Sequence, residues 1–176
     1  MTVSEIYKSL RAWGMEVLSL PPGKVLRAWQ DNQPLPEYPC CYFAITQIDR
    51  RSTNHTGFAI NPATGKASGS QEALYAMTVQ MDIYGPEATD LGQRAELMFR
   101  SARAVDFFSP YGLAPTHVSG PIMLTANRDP KGNWGERASL RLQFSFTNKI
   151  TYDEDYFTEP VLEVQNSEIF DDKGEE

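Results

Sequence analysis

The stretch Tyr75-Ala76-Met77-Thr78-Val79-Gln80-Met81-Asp82-Ile83 decides the fold, because large apolar residues alternate in it with small or polar ones. Successive side chains of a strand point to opposite faces, so this alternation predicts a strand over 74–84 with one buried face. The run from Ala138 to Thr147 alternates in the same way and predicts a second long, half-buried strand. Further strands are expected at 40–49, which is dense in aromatic and β-branched residues, and as short elements at Lys24–Trp29 and Thr116–Thr125.

Two amphipathic helices accompany these strands. Thr2 and Glu5 have the spacing of a capping box, and the apolar residues that follow predict a helix that Gly14 can end. Gly85-Pro86 ends the first long strand and predicts one continuous helix over 87–106. The fold class expected is therefore α+β, with an antiparallel, possibly mixed, β-sheet and two or more helices packed on one face. The predicted helical stripes are Ile6, Leu10, Trp13 and Val17, and Ala88, Leu91, Ala95, Met98, Ala102 and Val105.

Two connections are expected to be loops. Residues 50–71 contain several Gly and Pro residues and predict a long loop between strands, with a projecting tip. Within it, 65–70 lacks the spacing of a phosphate-binding loop and indicates a flexible segment. Residues 107–115 form a connection rich in aromatics. Its Phe107 and Tyr111 either fill the gap between helix and sheet or present an exposed contact to a partner.

The charge divides the chain into two parts. Of 176 residues, 152–176 hold ten Asp and Glu against one Lys, a balance of −9, whereas 1–151 hold fifteen Lys and Arg against thirteen Asp and Glu, a balance of +2. We expect one α+β domain over 1–151 and an acidic C-terminal arm over 152–176, disordered at its end. Besides Tyr152, the arm contains seven aromatic and aliphatic residues, so it either docks on another surface or is a floppy tail with incidental hydrophobic residues.

The inventory of reactive residues favours no catalytic, cofactor or metal site. Cys40 and Cys41 are adjacent, which makes a disulfide between them improbable, and we interpret both as small apolar residues on opposite faces of a strand. Neither a zinc-ligand spacing nor a nucleophile elbow occurs. We expect no signal peptide and no membrane-spanning segment. The alternative from another class is a small-ligand domain or enzyme with a site near His117, Asp129 and Trp134.

Three stretches together resemble the neck or tail terminator proteins of tailed bacteriophages. The first, 25–36, is similar to the family's strand followed by a Gln/Asn-rich loop that ends in Pro. The second is Val79-Gln80-Met81-Asp82-Ile83-Tyr84-Gly85-Pro86, leading into the helix, and the third is 104–115. The resemblance covers about residues 1–150 in the order of its elements and the style of its loops.

The resemblance implies a non-enzymatic virion protein of the tail or neck, assembled in the host cytoplasm. Such proteins form a ring, commonly a hexamer, that terminates the tail tube and joins it to the head–tail connector or neck protein. Genomic DNA passes through the lumen without sequence-specific binding, and the tail sheath is a further possible partner. The alternative in the same class is another head–tail joining or minor tail protein of similar fold.

A cyclic ring needs two different, complementary patches on each subunit. The candidate subunit or partner contacts are Trp29, Phe108, Tyr111, Tyr156, Phe157 and Phe170. The long 50–71 connection is expected to reach across a subunit interface or onto the tube. Residues that face the lumen should avoid clusters of Lys and Arg, since phosphate attraction would hold the DNA. The acidic arm suits a partner that carries Lys and Arg.

Overall fold

A seven-stranded sheet built on two very long strands organises the chain. The computed structural model describes residues 2–30, 36–61, 66–124, 127–128 and 134–154. Two short 3-10 turns, Pro22–Lys24 and Ser109–Tyr111, accompany the regular elements. The helices and strands are, in chain order, α1 (Val3–Leu18), β1 (Val25–Arg27), β2 (Cys40–Arg50), β3 (His55–Asn61), β4 (Lys66–Tyr84), α2 (Ala88–Phe99), α3 (Ala102–Phe108), β5 (Ala114–Val118), β6 (Ile122–Met123), β7 (Asn127–Arg128), β8 (Trp134–Gly135) and β9 (Arg137–Glu154).

The long strands β4 and β9 lie side by side and antiparallel over their whole length, with Met77 opposite Phe144. The main path of the sheet is β1-β2-β4-β9-β5. Strand β3 pairs with the first part of β4, and β6 pairs with the first part of β9. All pairs are antiparallel except β1 with β2, which are parallel. The sheet is therefore mixed and mostly antiparallel, which confirms the predicted α+β class.

The core lies between one face of the sheet and the helices. On β4 the buried residues Met77, Val79, Met81 and Ile83 alternate with half-buried ones, as the period of two predicts. Their neighbours on β9 are equally buried and extend the same apolar face. Above this face the ring of Phe144 meets those of Phe99 and Phe108 at centroid distances of 5.2 and 4.9 Å. Helical packing thus covers the middle of the sheet.

Helix α1 begins as predicted but ends later. Glu5 donates its backbone N–H to the Thr2 hydroxyl, and the Glu5 carboxylate accepts the Thr2 N–H at 2.7 Å, so the capping box is confirmed. The expectation that Gly14 can end the helix is wrong. Gly14 is buried inside α1, where an added Cβ would come within 2.8 Å of the Phe43 ring, and the helix ends at Ser19 in the left-handed conformation. Glycine therefore serves here for close packing of helix on sheet.

The predicted continuous helix over 87–106 is two helices. Ser101 is extended and separates α2 from α3, while the Arg100 guanidinium donates to the Val118 carbonyl at 2.9 Å. The apolar stripe consequently fails beyond the break, since Val105 is exposed and Phe108 is buried. The change of direction lets Phe108 enter the core. At the other end, Gly85 has a φ of +116° and separates β4 from α2, as the predicted strand end requires.

The long loop predicted over 50–71 is mostly a β-hairpin. Residues 55–61 form β3, and 66–71 belong to β4, so the flexible segment predicted over 65–70 is wrong for Lys66–Ser70. Gly57 lies opposite Ser70 in this pairing, and Phe58 lies opposite Gly69. Residues 66–71 form a strand although their side chains are small or polar, because β3 and β9 supply backbone partners on both of its edges. The expected tip falls on 62–65, outside the described residues.

The C-terminal strand also runs further than predicted. β9 extends to Glu154, so the first three residues of the predicted acidic arm, 152–154, are part of the sheet. The remainder, 155–176, lies outside the described residues. Cys40 and Cys41 are free and buried on β2, in keeping with their interpretation as small apolar residues.

Candidate interaction surfaces

The six predicted contact residues have three different outcomes. Trp29 is 80% exposed and Tyr111 is 42% exposed, so both are open to a partner. Phe108 is a wrong prediction: it is fully buried, with its ring 5.8 Å from that of Trp13, because α3 continues through a residue that was assigned to a loop. Tyr156, Phe157 and Phe170 lie outside the described residues and stay predictions.

Trp29 combines exposure with an unusual backbone. Its φ is +58°, a value that is uncommon for a bulky side chain. The preceding residue, Ala28, donates its N–H to the Phe43 carbonyl at 2.8 Å, which anchors the chain to β2 just before the tryptophan. A strained residue that also presents a large aromatic ring to solvent is a candidate for a functional contact.

A groove of about 330 Å³ lies along α1 and is lined by Arg27 and Gln30, which are close to Trp29 in sequence. It is lined in part by Tyr7, Lys8 and Arg11 of α1 and by Arg27 of β1, and the Arg27 guanidinium stacks on the Tyr7 ring at 4.3 Å. Lys8 also lines a second groove, together with Tyr111. The surface around α1 therefore extends from Tyr111 through Lys8 to Arg27 and Gln30, close to Trp29 in sequence. We call it the basic–aromatic surface, made of Tyr7, Lys8, Arg11, Arg27, Trp29 and Tyr111.

The cations of the basic–aromatic surface have no carboxylate in ion-pair range within the described ranges. Arg11 donates to the Pro22 carbonyl at 2.6 Å, which fixes its position without neutralising its charge. Glu5 lies beside Lys8 in the second groove and partly offsets its charge, whereas the groove that Arg11 and Arg27 line contains no carboxylate among its described residues. Cations beside exposed aromatics suit an acidic partner segment with aromatic residues. The sequence reasoning missed these cations, although Lys8 and Arg11 are three residues apart and share one exposed face of α1.

A second surface lies on the outer third of the sheet, which consists of β3 with residues 66–73 of β4 and 147–154 of β9. We call this part of the sheet the arm, and the acidic segment at the C-terminus keeps the name C-terminal arm. On the face that continues the core, Phe58 and Tyr152 flank Gly69 in register, and Ile60 lies beside Ala67. Ile60 is 47% exposed and Ile150 is 64% exposed. The alternation of Phe58 with Ile60 was a strand signal that the loop prediction overlooked.

The opposite face of the sheet is polar. Arg137 donates to the Asp82 carboxylate at 3.0 Å, and Gln80 donates to the same oxygen at 2.9 Å. Buried Asp82 Oδ1 and Arg137 Nε have no hydrogen-bond partner in the described part of the chain. Both atoms belong to the Asp82–Arg137 ion pair and are closed to a neighbouring surface.

Of the alternative ligand site, only His117 has a described side chain. His117 is exposed on β5 beside a shallow groove of about 280 Å³, and Asp129 and the Trp134 side chain lie outside the description. Within the ranges 2–30, 36–61, 66–124, 127–128 and 134–154, no group of three acidic, His or Cys side chains is suited to a metal ion. None of the helices in the described ranges has the length and hydropathy that crossing a membrane would need.

The chain matches the family described as phage neck terminator protein over residues 4–175. The protein belongs to this family. The resemblance in three stretches is thereby confirmed, and the match extends beyond them through nearly the whole C-terminal arm. None of the curated proteins matches the chain.

Family membership indicates a structural protein of the virion tail or neck, consistent with a tail-terminating role. It also implies association with other tail or head-connector proteins, which makes exposed surfaces, rather than a pocket, the relevant functional sites. A structural family is compatible with the predicted absence of catalysis.

Proposed function

We propose that the protein forms a ring, most simply a hexamer, that terminates the tail tube and joins it to the head–tail connector or neck protein. The match to the neck terminator family over residues 4–175 is the observation that carries the proposal. Genomic DNA passes through the lumen of this ring without sequence-specific binding. Assembly takes place in the host cytoplasm, and the tail sheath is a further partner where the tail is contractile.

Each subunit supplies two unlike patches to this ring, because cyclic assemblies use heterologous contacts. The first patch is the basic–aromatic surface, with Trp29 and Tyr111 as its aromatic contacts. The second patch is the acidic segment of the adjacent subunit that follows β9, residues 155–176, whose eight Asp and Glu against one Lys give a balance of −7 that complements the three cations. In this arrangement the contact is both aromatic and electrostatic, so salt weakens it without abolishing it.

The arm of the sheet, which includes most of residues 50–71, takes the role expected of the 50–71 connection. It reaches from the subunit towards the tail tube or a neighbouring subunit, as a paired β-structure rather than a loop. Its support is the continuous pairing of β3 and β9 with the first third of β4. A deletion of 58–69 that left both ring formation and tube capping intact would overturn this role.

The oligomer is tested by mass measurement of the purified protein with light scattering. We expect the full chain to elute at several times its 19.8 kDa mass, alone or in the presence of tail tubes. The double variant Trp29→Ser with Tyr111→Ser should dissociate at concentrations where the wild type stays assembled, by about tenfold or more in Kd.

Leu97→Ser is the matched control, since Leu97 is 70% exposed on α2 and outside the basic–aromatic surface. This control should assemble like the wild type. Equal loss of assembly in the control and the double variant would contradict the assigned patch. A wild type that stays monomeric on tube ends would contradict the ring.

A second candidate function, another head–tail joining or minor tail protein, shares the fold and the family's surroundings. Binding to isolated tail tubes against isolated connectors separates the two. A terminator binds the tube end and stops further polymerisation of tube protein, whereas a joining protein binds the connector without affecting tube length.

A further inference from the structure

The arm reaches towards the tube or a neighbouring subunit in the proposed ring, but that role does not say what covers its apolar face. Ile150 is 64% exposed, Ile60 is 47% exposed and Tyr152 is 38% exposed, all on the face that continues the core. Between them lie Ala67 and Gly69, which are buried. A contiguous apolar patch of this kind on a soluble protein marks a site of interaction.

The position of the last described residue indicates what covers this face. β9 ends at Glu154, opposite Ala67 at the outer end of the arm, so the rest of the chain, 155–176, starts there. A segment of ten residues spans up to about 33 Å, whereas the seven paired residues of β3 span about 23 Å. Residues 155–164 are therefore long enough to turn back and cross the arm.

The composition of that segment matches the face. Residues 155–164 read Asp-Tyr-Phe-Thr-Glu-Pro-Val-Leu-Glu-Val, with five aromatic or aliphatic residues among three acidic ones. Buried against the arm, the apolar side chains gain hydrophobic free energy in proportion to the area removed from water. The acidic side chains lose nothing if they point outward to solvent.

We propose that residues 155–164 fold back onto the apolar face of the arm of their own chain and cover Ile60, Ile150 and Tyr152. Covalent connection places the segment at an effective concentration of the order of millimolar beside this face, which favours the same chain over a neighbouring copy. Contact within one chain also avoids the loss of translational and rotational freedom that a second copy would incur.

The free edge of β9 adds backbone groups to the same site. Strand β5 pairs with β9 only as far as Ser145, so within the described ranges 146–154 have no sheet neighbour on the side away from β4. An unpaired edge beside an apolar face offers both hydrogen bonds and burial to an incoming chain segment. Both features lie next to the point where residue 155 begins.

This docking leaves the end of the acidic C-terminal arm, residues 165–176, for the ring contact. Residues 165–176 hold five Asp and Glu against Lys173 and remain acidic enough to meet the basic–aromatic surface of a neighbour. The inference does not rest on the proposed ring, since it concerns the monomer. Failure of ring assembly and failure of the docking are therefore separate results.

Hydrogen exchange of the full chain, read by mass spectrometry at a dilution where light scattering shows monomers, tests the proposal. We expect amides of 155–164 to exchange at least about tenfold slower than the same sequence in an unstructured chain. Ile150→Asp, which places a charge on the apolar face, should return them to the unstructured rate.

Thr151→Asp is the matched control, because it introduces the same charged residue at the adjacent position, whose side chain lies on the opposite face. The control should keep the protection. Melting temperatures of both variants confirm that the sheet stays folded, and Tyr152→Ser replaces Ile150→Asp if that variant unfolds. Unprotected amides in the wild type, protection that survives Ile150→Asp, or protection confined to oligomers would each overturn the proposal.

Discussion

The two long strands β4 and β9 run through two regions that differ in what covers them. In the inner region, Met77 and Phe144 lie opposite one another beneath α2 and α3 and are fully buried. In the arm, the same two strands continue on the same face with Gln71 opposite Ile150, yet Ile150 is largely exposed. Pairing and register are alike in both regions, so the difference teaches that helical cover, not strand structure, separates the stabilising core from the candidate contact surface.

The largest effect should come from truncating one residue in each region of β9. Phe144→Ala removes a ring that contacts Phe99 and Phe108 and should lower the free energy of unfolding by about 3–5 kcal/mol. Ile150→Ala, six residues later on the same face, should cost less than about 1 kcal/mol. Urea unfolding of the two variants measures both values, and equal losses would remove the distinction between the regions.

A smaller effect is expected where α1 approaches the covered region. Gly14→Ala forces a methyl group to within 2.8 Å of the buried Phe43 ring, so we expect a loss of about 1–3 kcal/mol despite the better helix propensity of Ala. Gly23→Ala is the control, since a Cβ there meets nothing within 4 Å. Thermal melts compare the two, and a stabilised Gly14→Ala variant would show that the helix can move away from the sheet.

The rate at which a thiol reagent modifies cysteines should distinguish the buried inner region from the exposed arm. Burial raises the pKa of Cys40 to about 11 and that of Cys41 well above its ordinary value. Neutral buried thiols therefore favour the fold fully below the unfolded pKa of about 8.5, and this contribution is lost as the pH rises towards about 11. At pH 8 a disulfide reagent should modify both cysteines on the order of 100-fold more slowly than in denaturant.

A cysteine introduced in the arm as Thr151→Cys is the control for this measurement, because Thr151 is exposed. Its thiol should react at nearly the rate of a free cysteine. Fast modification of Cys40 and Cys41 in the folded protein would show that β2 opens readily and that the inner region is less stable than proposed.

The smallest effect concerns the first turn of α1. The hydrogen bond from the Thr2 backbone N–H lowers the pKa of the Glu5 carboxyl. A lowered pKa means that the contribution is present above the unfolded value of about 4.3 and is lost as the pH falls through the folded value. Hydrogen exchange of the first turn, corrected for intrinsic rates, should therefore rise from pH 6 to pH 3. Glu5→Gln should remove most of this pH dependence; an unchanged dependence would assign it to another group.

The sequence predicted the covered region well and the arm poorly, for one physical reason. Residues 74–84 and 138–147 face a core, so burial imposes the alternation from which both strands were predicted. Residues 66–73 read Lys-Ala-Ser-Gly-Ser-Gln-Glu-Ala and carry no such signal. Their strand depends on pairing with β3 and with distant β9, which no local pattern reveals.

The candidate contact residues also differ in how well the sequence predicted them. Trp29 was predicted as the last residue of a strand, next to a turn-rich connection, and it is exposed. Phe108 was misplaced because the break at Ser101 reorients α3. An apolar stripe cannot predict that break, which lies next to the contact of Arg100 with the Val118 carbonyl. The basic–aromatic surface was missed because its parts come from α1, β1 and the turn before β5, which only the tertiary fold brings together.

Negative-stain electron microscopy of the full chain mixed with isolated tail tubes tests the central claim most directly. The terminator function predicts rings with a central hole, seated at tube ends, and tubes that no longer extend when tube protein is added. Globular monomers that leave the tube ends bare and allow tubes to extend would contradict it.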